Sequence, residues 1–196
     1  KDLQSFIQNN FEKFDLDVAL KNKYPNELSG GEAQRVMNAF VLAHKPKVVF
    51  ADETTTGIDV SRQINVISQF KLIQSENPDT TIIIISHDFA FLNHLVDTYV
   101  VMFGGFVLEA IHDINNLYSK KSLHPYTADL LSSLDPNSKN IQKETIDNFI
   151  DLTIKPQGCP YKDRCKVFAS GDRELQHKCE SEFPPIVDSY SGEKVE

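Results

Sequence analysis

The chain has 196 residues, with 20 Lys and Arg against 28 Asp and Glu, and so a formal charge of −8 at pH 7. An apolar fraction of 40% with 24% charge provides for a real core and excludes wholesale disorder, while the acidic balance argues against nucleic acid as the main partner. No apolar run approaches the ~18 residues that span a bilayer, and Lys1 to Asn10 is too mixed to read as a signal peptide.

In chain order, Pro25 and then Gly30-Gly31 break the pattern, and a helix follows. Ala33, Val36, Met37, Phe40 and Val41 form one apolar stripe at helical spacing, with Gln34, Arg35 and Asn38 on the other face and Pro46 as the stop. Val48 to Ala51 reads as a short buried strand, Val60 to about Gln74 as a helix turning Ile64, Ile67 and Phe70 inward, and Pro78-Asp79 as a turn. Thr81 to Ile85 is a β-branched run that reads as a second buried strand, followed by a helix through Phe89, Leu92 and Val96. Strand, helix and strand together predict a βαβ unit with a right-handed crossover and helices on both faces of a parallel sheet. Val100 to Phe103, Gly104-Gly105 and Phe106 to Leu108 read as an edge hairpin. The fold class is α/β. Beyond Leu134-Asp135-Pro136 the pattern decays into a polar stretch and a tail rich in Pro and Cys, with a boundary near residue 137.

In an open parallel sheet, ligands bind beyond the carboxyl ends of the strands. The first strand delivers Asp52 and Glu53 there, and the second delivers Ser86, His87 and Asp88. Two adjacent acids suit one carboxylate for a divalent cation such as Mg²⁺ and one base for a water, and an imidazole beside them suits a phosphate oxygen or that water. An acidic pair after a strand is more often a cap or turn. Leu28-Ser29-Gly30-Gly31-Glu32 likewise has two readings. Ser29 with Glu32 makes a capping box, whereas two successive glycines at a helix start let an anion approach bare amides.

Taken together, Leu28-Ser29-Gly30-Gly31 with Gln34-Arg35, Val48 to Ala51 with Asp52-Glu53, Thr56-Gly57-Ile58-Asp59, and a strand ending in His87-Asp88 resemble the second half of an ABC-transporter ATPase. The resemblance implies a P-loop NTPase-like nucleotide-binding fold over roughly Tyr24 to Leu108. Leu28, Ser29, Gly30, Gly31 and Glu32 become the signature, Asp52 the Mg²⁺ carboxylate, Glu53 the general base, Asp59 the end of the D-loop, and His87 the switch histidine. His124-Pro125-Tyr126-Thr127 and Gly158-Cys159-Pro160-Tyr161 with Arg164-Cys165 resemble the C-terminal extension of oligopeptide, dipeptide and nickel importer ATPases. Residues 1–27 are then the remainder of a helical subdomain, 28–111 the signature, Walker B and H-loop part of the core, 112–137 connecting helices, and 138–196 the extension. The implied function is an ATP-hydrolysing subunit of a peptide importer on the cytoplasmic face of a membrane. Its implied partners are a second ATPase, identical or related, two integral permease subunits and, indirectly, a substrate-binding protein.

Glu32 stands where the family commonly has Gln, Thr54 where it has Pro, and Gly57 where it often has Ala. The phosphate loop G-x-x-x-x-G-K-[ST] is absent from the 196 residues, so the chain is expected to be the C-terminal portion of a longer subunit, inactive by itself. Cys159, Cys165 and Cys179, spaced Cys-x5-Cys-x13-Cys, leave an iron–sulfur or other metal centre, with His177 as a further ligand, set against free thiols. Two other classes remain open: an ABC ATPase of translation or DNA repair, and a metal- or partner-binding module built on the tail. Among transport functions, nickel or a metal chelate is the alternative cargo.

Overall fold

The structure is a computed structural model that describes residues 2–112, 124–134, 156–187 and 194–195. The chain divides into two compact units, 1–96 and 97–196, so the hairpin read from the sequence belongs to the second unit. The boundary read near residue 137 lies outside the described residues.

In the first unit Asp2 caps helix α1 (Leu3–Glu12), its carboxylate accepting from the Gln4 amide at 3.3 Å. Asp17 caps a short 3-10 turn, Val18–Asn22, in the same manner. These segments carry Phe14, Leu16 and Leu20 into one buried cluster with Ala39, Leu42 and Ile73. Helix α2 (Gly30–His44) opens on Ser29 and ends where Lys45 turns left-handed, φ 48°, directly before Pro46. Strand β1 (Val48–Asp52), helix α3 (Val60–Glu76) and strand β2 (Thr81–Ile85) form the expected βαβ unit, with β1 and β2 parallel and in register from Val48 opposite Thr81 to Asp52 opposite Ile85. Helix α4 is one turn, Phe89–Leu92, shorter than the run to Val96 read from the sequence.

Three expectations of sidedness are overturned. Among the described residues only one face of the β1–β2 sheet is covered: Ala51 is buried and Ile82 packs on the core cluster, whereas Val48, Phe50, Ile83 and Ile85 are exposed, Phe50 by 71%. In α2 the large members of the predicted stripe, Met37 and Phe40, are exposed and Ala39 and Leu42 are buried; in α3 Ile64 is exposed while Val66, Phe70 and Ile73 are buried. The physical reason is common to all three. A β-branched run reads alike whether one or both faces are covered, and a helix with apolar residues on more than one side buries the side that has a packing partner.

In the second unit strands β3 (Tyr99–Phe103) and β4 (Phe106–Ile111) pair antiparallel. Gly104 and Gly105, with φ of 58° and 83°, make a two-residue turn that needs positive φ at both positions. Helix α5 (Pro125–Leu134) begins with a proline, which forfeits only an amide that would be unpaired there. Helices α6 (Lys166–Ser170) and α7 (Arg173–Ser181) precede a short antiparallel pair, β5 (Ile186–Val187) with β6 (Lys194–Val195). The core of this unit is Leu108, Cys159, Tyr161 and Cys165, against which Phe103, Tyr126, Phe168 and Cys179 pack. Gly158 is its tightest point, since a Cβ there would lie 2.2 Å from the Cys179 carbonyl oxygen and 2.6 Å from Glu180 backbone atoms. Gly158→Ala is therefore expected to destabilise this unit by about 1–3 kcal/mol, read as a lower denaturation midpoint; an unchanged midpoint would show that the backbone gives way freely.

Candidate functional site

The β1–β2 register places the two strand tips side by side. The Glu53 amide donates to the Ile85 carbonyl at 2.9 Å, extending the ladder one step past β1. Glu53 then takes a left-handed conformation, φ 47°, and the chain turns away from the sheet. Across the tip, His87 Nδ1 lies 3.1 Å from Glu53 Oε1, and Thr56 Oγ1 donates to Glu53 Oε2 at 2.7 Å. Asp52 is exposed at the same tip, with its carboxylate free among the described residues. Asp88 is turned to structural work: its Oδ1 accepts from the Phe91 amide at 3.0 Å to cap α4, and its Oδ2 accepts from Gln63 Nε2 on α3 at 3.1 Å. Asp59 caps nothing through its side chain and stays exposed at the start of α3.

The electrostatics follow the contacts. The Thr56 hydroxyl, and after it His87, hold the Glu53 carboxyl below its ordinary value of 4.5, and the Glu53 carboxylate raises His87 above its ordinary 6.5. Both side chains are solvent-accessible, so the pair acts on protonation more than on stability.

At the start of α2 the capping box exists in full. Glu32 Oε2 accepts from the Ser29 amide at 2.8 Å and from the Ser29 hydroxyl at 2.7 Å, and the Ser29 oxygen accepts from the Glu32 amide at 3.3 Å. The Ser29 hydroxyl and amide together hold the Glu32 carboxyl below its ordinary value. Ala33 already reaches the Ser29 carbonyl at 2.9 Å, so the first-turn amides left over are those of Gly30 and Gly31, both exposed. A Cβ at Gly30 would meet nothing within 4 Å, so its glycine answers no packing need. Leu28 is partly buried against the core and anchors the segment. Gln34 Nε2 donates to the Thr54 carbonyl at 3.1 Å and so ties α2 to the loop after β1.

Residues 2–56 match the family model described as ABC transporter, and residues 111–170 match that described as Oligopeptide/dipeptide transporter, C-terminal region. Over most of its length the chain is similar to ABC transporter ATP-binding proteins. It is 32% identical over 181 residues to the oligopeptide transport ATP-binding protein OppF of Haemophilus influenzae, covering 90% of this chain and 52% of that one. It is 34% identical over 185 residues to the oligopeptide transport ATP-binding protein AppD of Bacillus subtilis, covering 90% and 51%. The chain thus spans about half the length of the curated relatives it matches. The ADP conformation of MJ1267, an ATP-binding cassette of an ABC transporter, superposes with a TM-score of 0.51 at 22% identity over 67% of this chain and 50% of that one, which shows the shared α/β fold.

In and just before the segment of the second match, the chain buries a polar cluster. The Glu109 carboxylate, whose pKa burial raises, accepts from the His124 amide at 3.1 Å. His124 Nδ1 accepts from the Tyr126 amide at 3.1 Å, which puts the ring proton on Nε2, 3.7 Å from Cys159 Sγ. The Tyr161 hydroxyl donates to Asp129 at 2.6 Å, and burial pushes the phenol up.

The expected metal role of Cys159, Cys165 and Cys179 does not fit this arrangement. Among the described residues no three His, Cys, Asp or Glu side chains form a group that could hold a metal ion. All three thiols are free, with Cys159 and Cys165 buried in the core and His177 exposed. Cys165 Sγ is spent as a helix cap, accepting from the Phe168 amide at 3.4 Å, and burial raises the Cys159 and Cys179 thiols. The iron–sulfur expectation is accordingly set aside.

Sequence reasoning put Asp52, Glu53 and His87 at strand ends but missed the partners of Glu53 and the tie from Gln34. The Glu53 to Thr56 spacing of three residues after a strand was the available signal for the first; nothing local announces the second.

The His87–Glu53 contact carries a pH signature. His87 contributes its charged half below 6.5 and loses it as pH rises through its raised value; Glu53 contributes its half above 4.5 and loses it as pH falls. An NMR titration of the His87 ring should give a midpoint above 6.5 that falls back toward 6.5 in Glu53→Gln. An identical midpoint in both proteins would show that the two groups do not interact in solution.

Proposed function

We propose that this chain is the signature, Walker B and extension portion of an ATP-binding and ATP-hydrolysing subunit of an importer for oligopeptides or dipeptides. The observation that carries the reading is the 3.1 Å approach of His87 to Glu53 at adjacent strand tips, together with the names of the relatives, which are oligopeptide transport proteins. The extension match favours peptides over nickel as cargo.

In this reading Glu53 is the general base for the attacking water. A carboxylate held ionised by hydrogen bonds from Thr56 and His87 is ready to accept a proton at neutral pH. His87 orients the γ-phosphate and, on binding it, exchanges a contact with Glu53 for one with substrate. Asp52, a single exposed hard-oxygen ligand, suits Mg²⁺, which keeps several waters and takes one or two carboxylates beside phosphate oxygens. The ion, when bound, supplies charge neutralisation at the phosphates. The donors at Ser29, Gly30 and Gly31 address the triphosphate held by a second ATPase subunit, identical or related, and Asp59 borders the same interface. Phosphate recognition by the glycine amides needs a loop G-x-x-x-x-G-K-[ST] on the opposite side of the nucleotide, supplied from outside these 196 residues.

Nucleotide then closes the pair of ATPases, and hydrolysis reopens it. That alternation drives two integral permease subunits, fed by a substrate-binding protein, between two states. No helix among the described residues is long and apolar enough to cross a membrane, and the proposed location is peripheral, at the cytoplasmic face.

In the full-length assembly, Glu53→Gln should bind ATP with little change and lose turnover by about a hundredfold or more; turnover at the parental rate would remove Glu53 from the role of base. Gly30→Ala separates capping from anion binding, since the site has room for the methyl. The variant is expected to fold with unchanged stability yet to fail in ATP-dependent pairing of the ATPase subunits, measured by size-exclusion chromatography with the Glu53→Gln protein. Pairing at the parental level would leave the glycines as helix geometry alone.

A further inference from the structure

The turn after β1 contains a contact whose geometry does more than keep the Glu53 carboxylate ionised. Thr56 makes two bonds to Glu53: its hydroxyl donates to Oε2 at 2.7 Å, and its amide donates to the Glu53 carbonyl at 3.1 Å. Among the described residues the carboxylate's other oxygen faces only His87, an imidazole whose side chain is 80% exposed. A glutamate side chain has several rotatable bonds, and one contact to a mobile exposed ring does not define its direction. Two contacts, one on each oxygen, do.

The element that carries Thr56 is itself fixed. Thr55 is buried, the Ile58 amide donates to the Thr55 carbonyl at 3.0 Å, and Gln34 Nε2 on α2 holds the Thr54 carbonyl at 3.1 Å. Glu53 keeps a left-handed backbone that side chains with a Cβ rarely adopt. That conformation swings the chain off the strand so that residue 56 returns over residue 53.

We propose that Thr56 is a positioning residue for Glu53, its hydroxyl fixing Oε2 from an anchored turn so that the carboxylate meets its water in one orientation. This rests on the reading of Glu53 as the base. Fixing a reacting group in this way acts on the chemical step rather than on nucleotide affinity. Thr56 is exposed and the substitution to valine keeps its shape, so the fold should survive.

The test uses the full-length transporter assembly, with ATPase kinetics and equilibrium binding of ATP measured separately. Thr56→Val should lower kcat about tenfold while leaving KM and the binding constant for ATP within about twofold, and Thr56→Ser, which keeps the hydroxyl, should restore kcat. In a Glu53→Gln background Thr56→Val should cause no further loss, because the carboxylate it positions is gone. Parental kcat in Thr56→Val, a rise in KM with kcat preserved, or additive losses in the double variant would each overturn the proposal. Those outcomes are distinguishable from failure of the underlying reading, which would show as parental turnover in Glu53→Gln alone.

Discussion

The parallel pairing of β1 with β2, with Asp52 opposite Ile85, is the constraint on which the site depends. A slip of one residue would move the tip of one strand by roughly 3.3 Å and turn its side chains to the other face, which separates His87 from Glu53. The register is held from the far end of the sheet. Thr80 and Asn77, both buried, bind across to the segment before β1: Thr80 Oγ1 to the Pro46 carbonyl at 2.6 Å, and Asn77 Nδ2 to the Leu42 carbonyl at 3.2 Å. The Thr81 amide adds a bond to the Lys47 carbonyl at 2.9 Å. Polar bonds at one end thus set a geometry at the other, and they do so between elements that α2 and α3 already pack together around Leu42 and Ile73.

Capping at the start of α2 is compatible with the anion recognition proposed above, because the two use different donors. The Ser29–Glu32 box consumes the amides of residues 29 and 32 and leaves those of Gly30 and Gly31. Only the Ser29 hydroxyl is contested, since its proton is given to Glu32. With glutamate at this position, an incoming phosphate meets a negative neighbour and must win that hydroxyl from it. The helix N-terminus offsets part of the repulsion, because its unpaired amides favour negative charge from either source.

From α2 onward the order and type of elements in the first unit were legible in the sequence, as were Asp52, Glu53 and His87 at strand ends and Pro46 as the stop of α2. What was not legible depends on partners. Ile83 and Ile85 look the same in a run buried on one face as in a run buried on both, and Met37 looks more suited to a core than Ala39 does. Glu53 and His87, 34 residues apart in sequence, give no sign of contact until the register is known. Thr56 was readable as part of a turn, but that its hydroxyl meets the carboxylate three residues earlier is a matter of the left-handed step at Glu53. The spacing of the three cysteines showed that they could gather, but not that they would gather inside an apolar core with Leu108 and Tyr161.

In the second unit the thiols have the character of small apolar groups. Nucleophilic chemistry requires thiolate, and the surroundings of Cys159 oppose ionisation: burial dominates, and the neighbouring thiols Cys179 and Cys165 add to it. Backbone hydrogen bonds from Tyr161 and Lys162 offset this only in part, and His124 Nε2 stands at 3.7 Å on a ring that burial itself keeps neutral. Phe103, Tyr126 and Tyr161 complete the enclosure, with ring centroids 4.7 to 5.2 Å apart, in contacts that stabilise close packing more than polarity. Sulfur in such a place contributes through volume and dispersion, as a methyl-sized group would. The buried carboxylate of Glu109 and the Tyr161–Asp129 bond then supply the polar specificity that this small core needs to hold one arrangement.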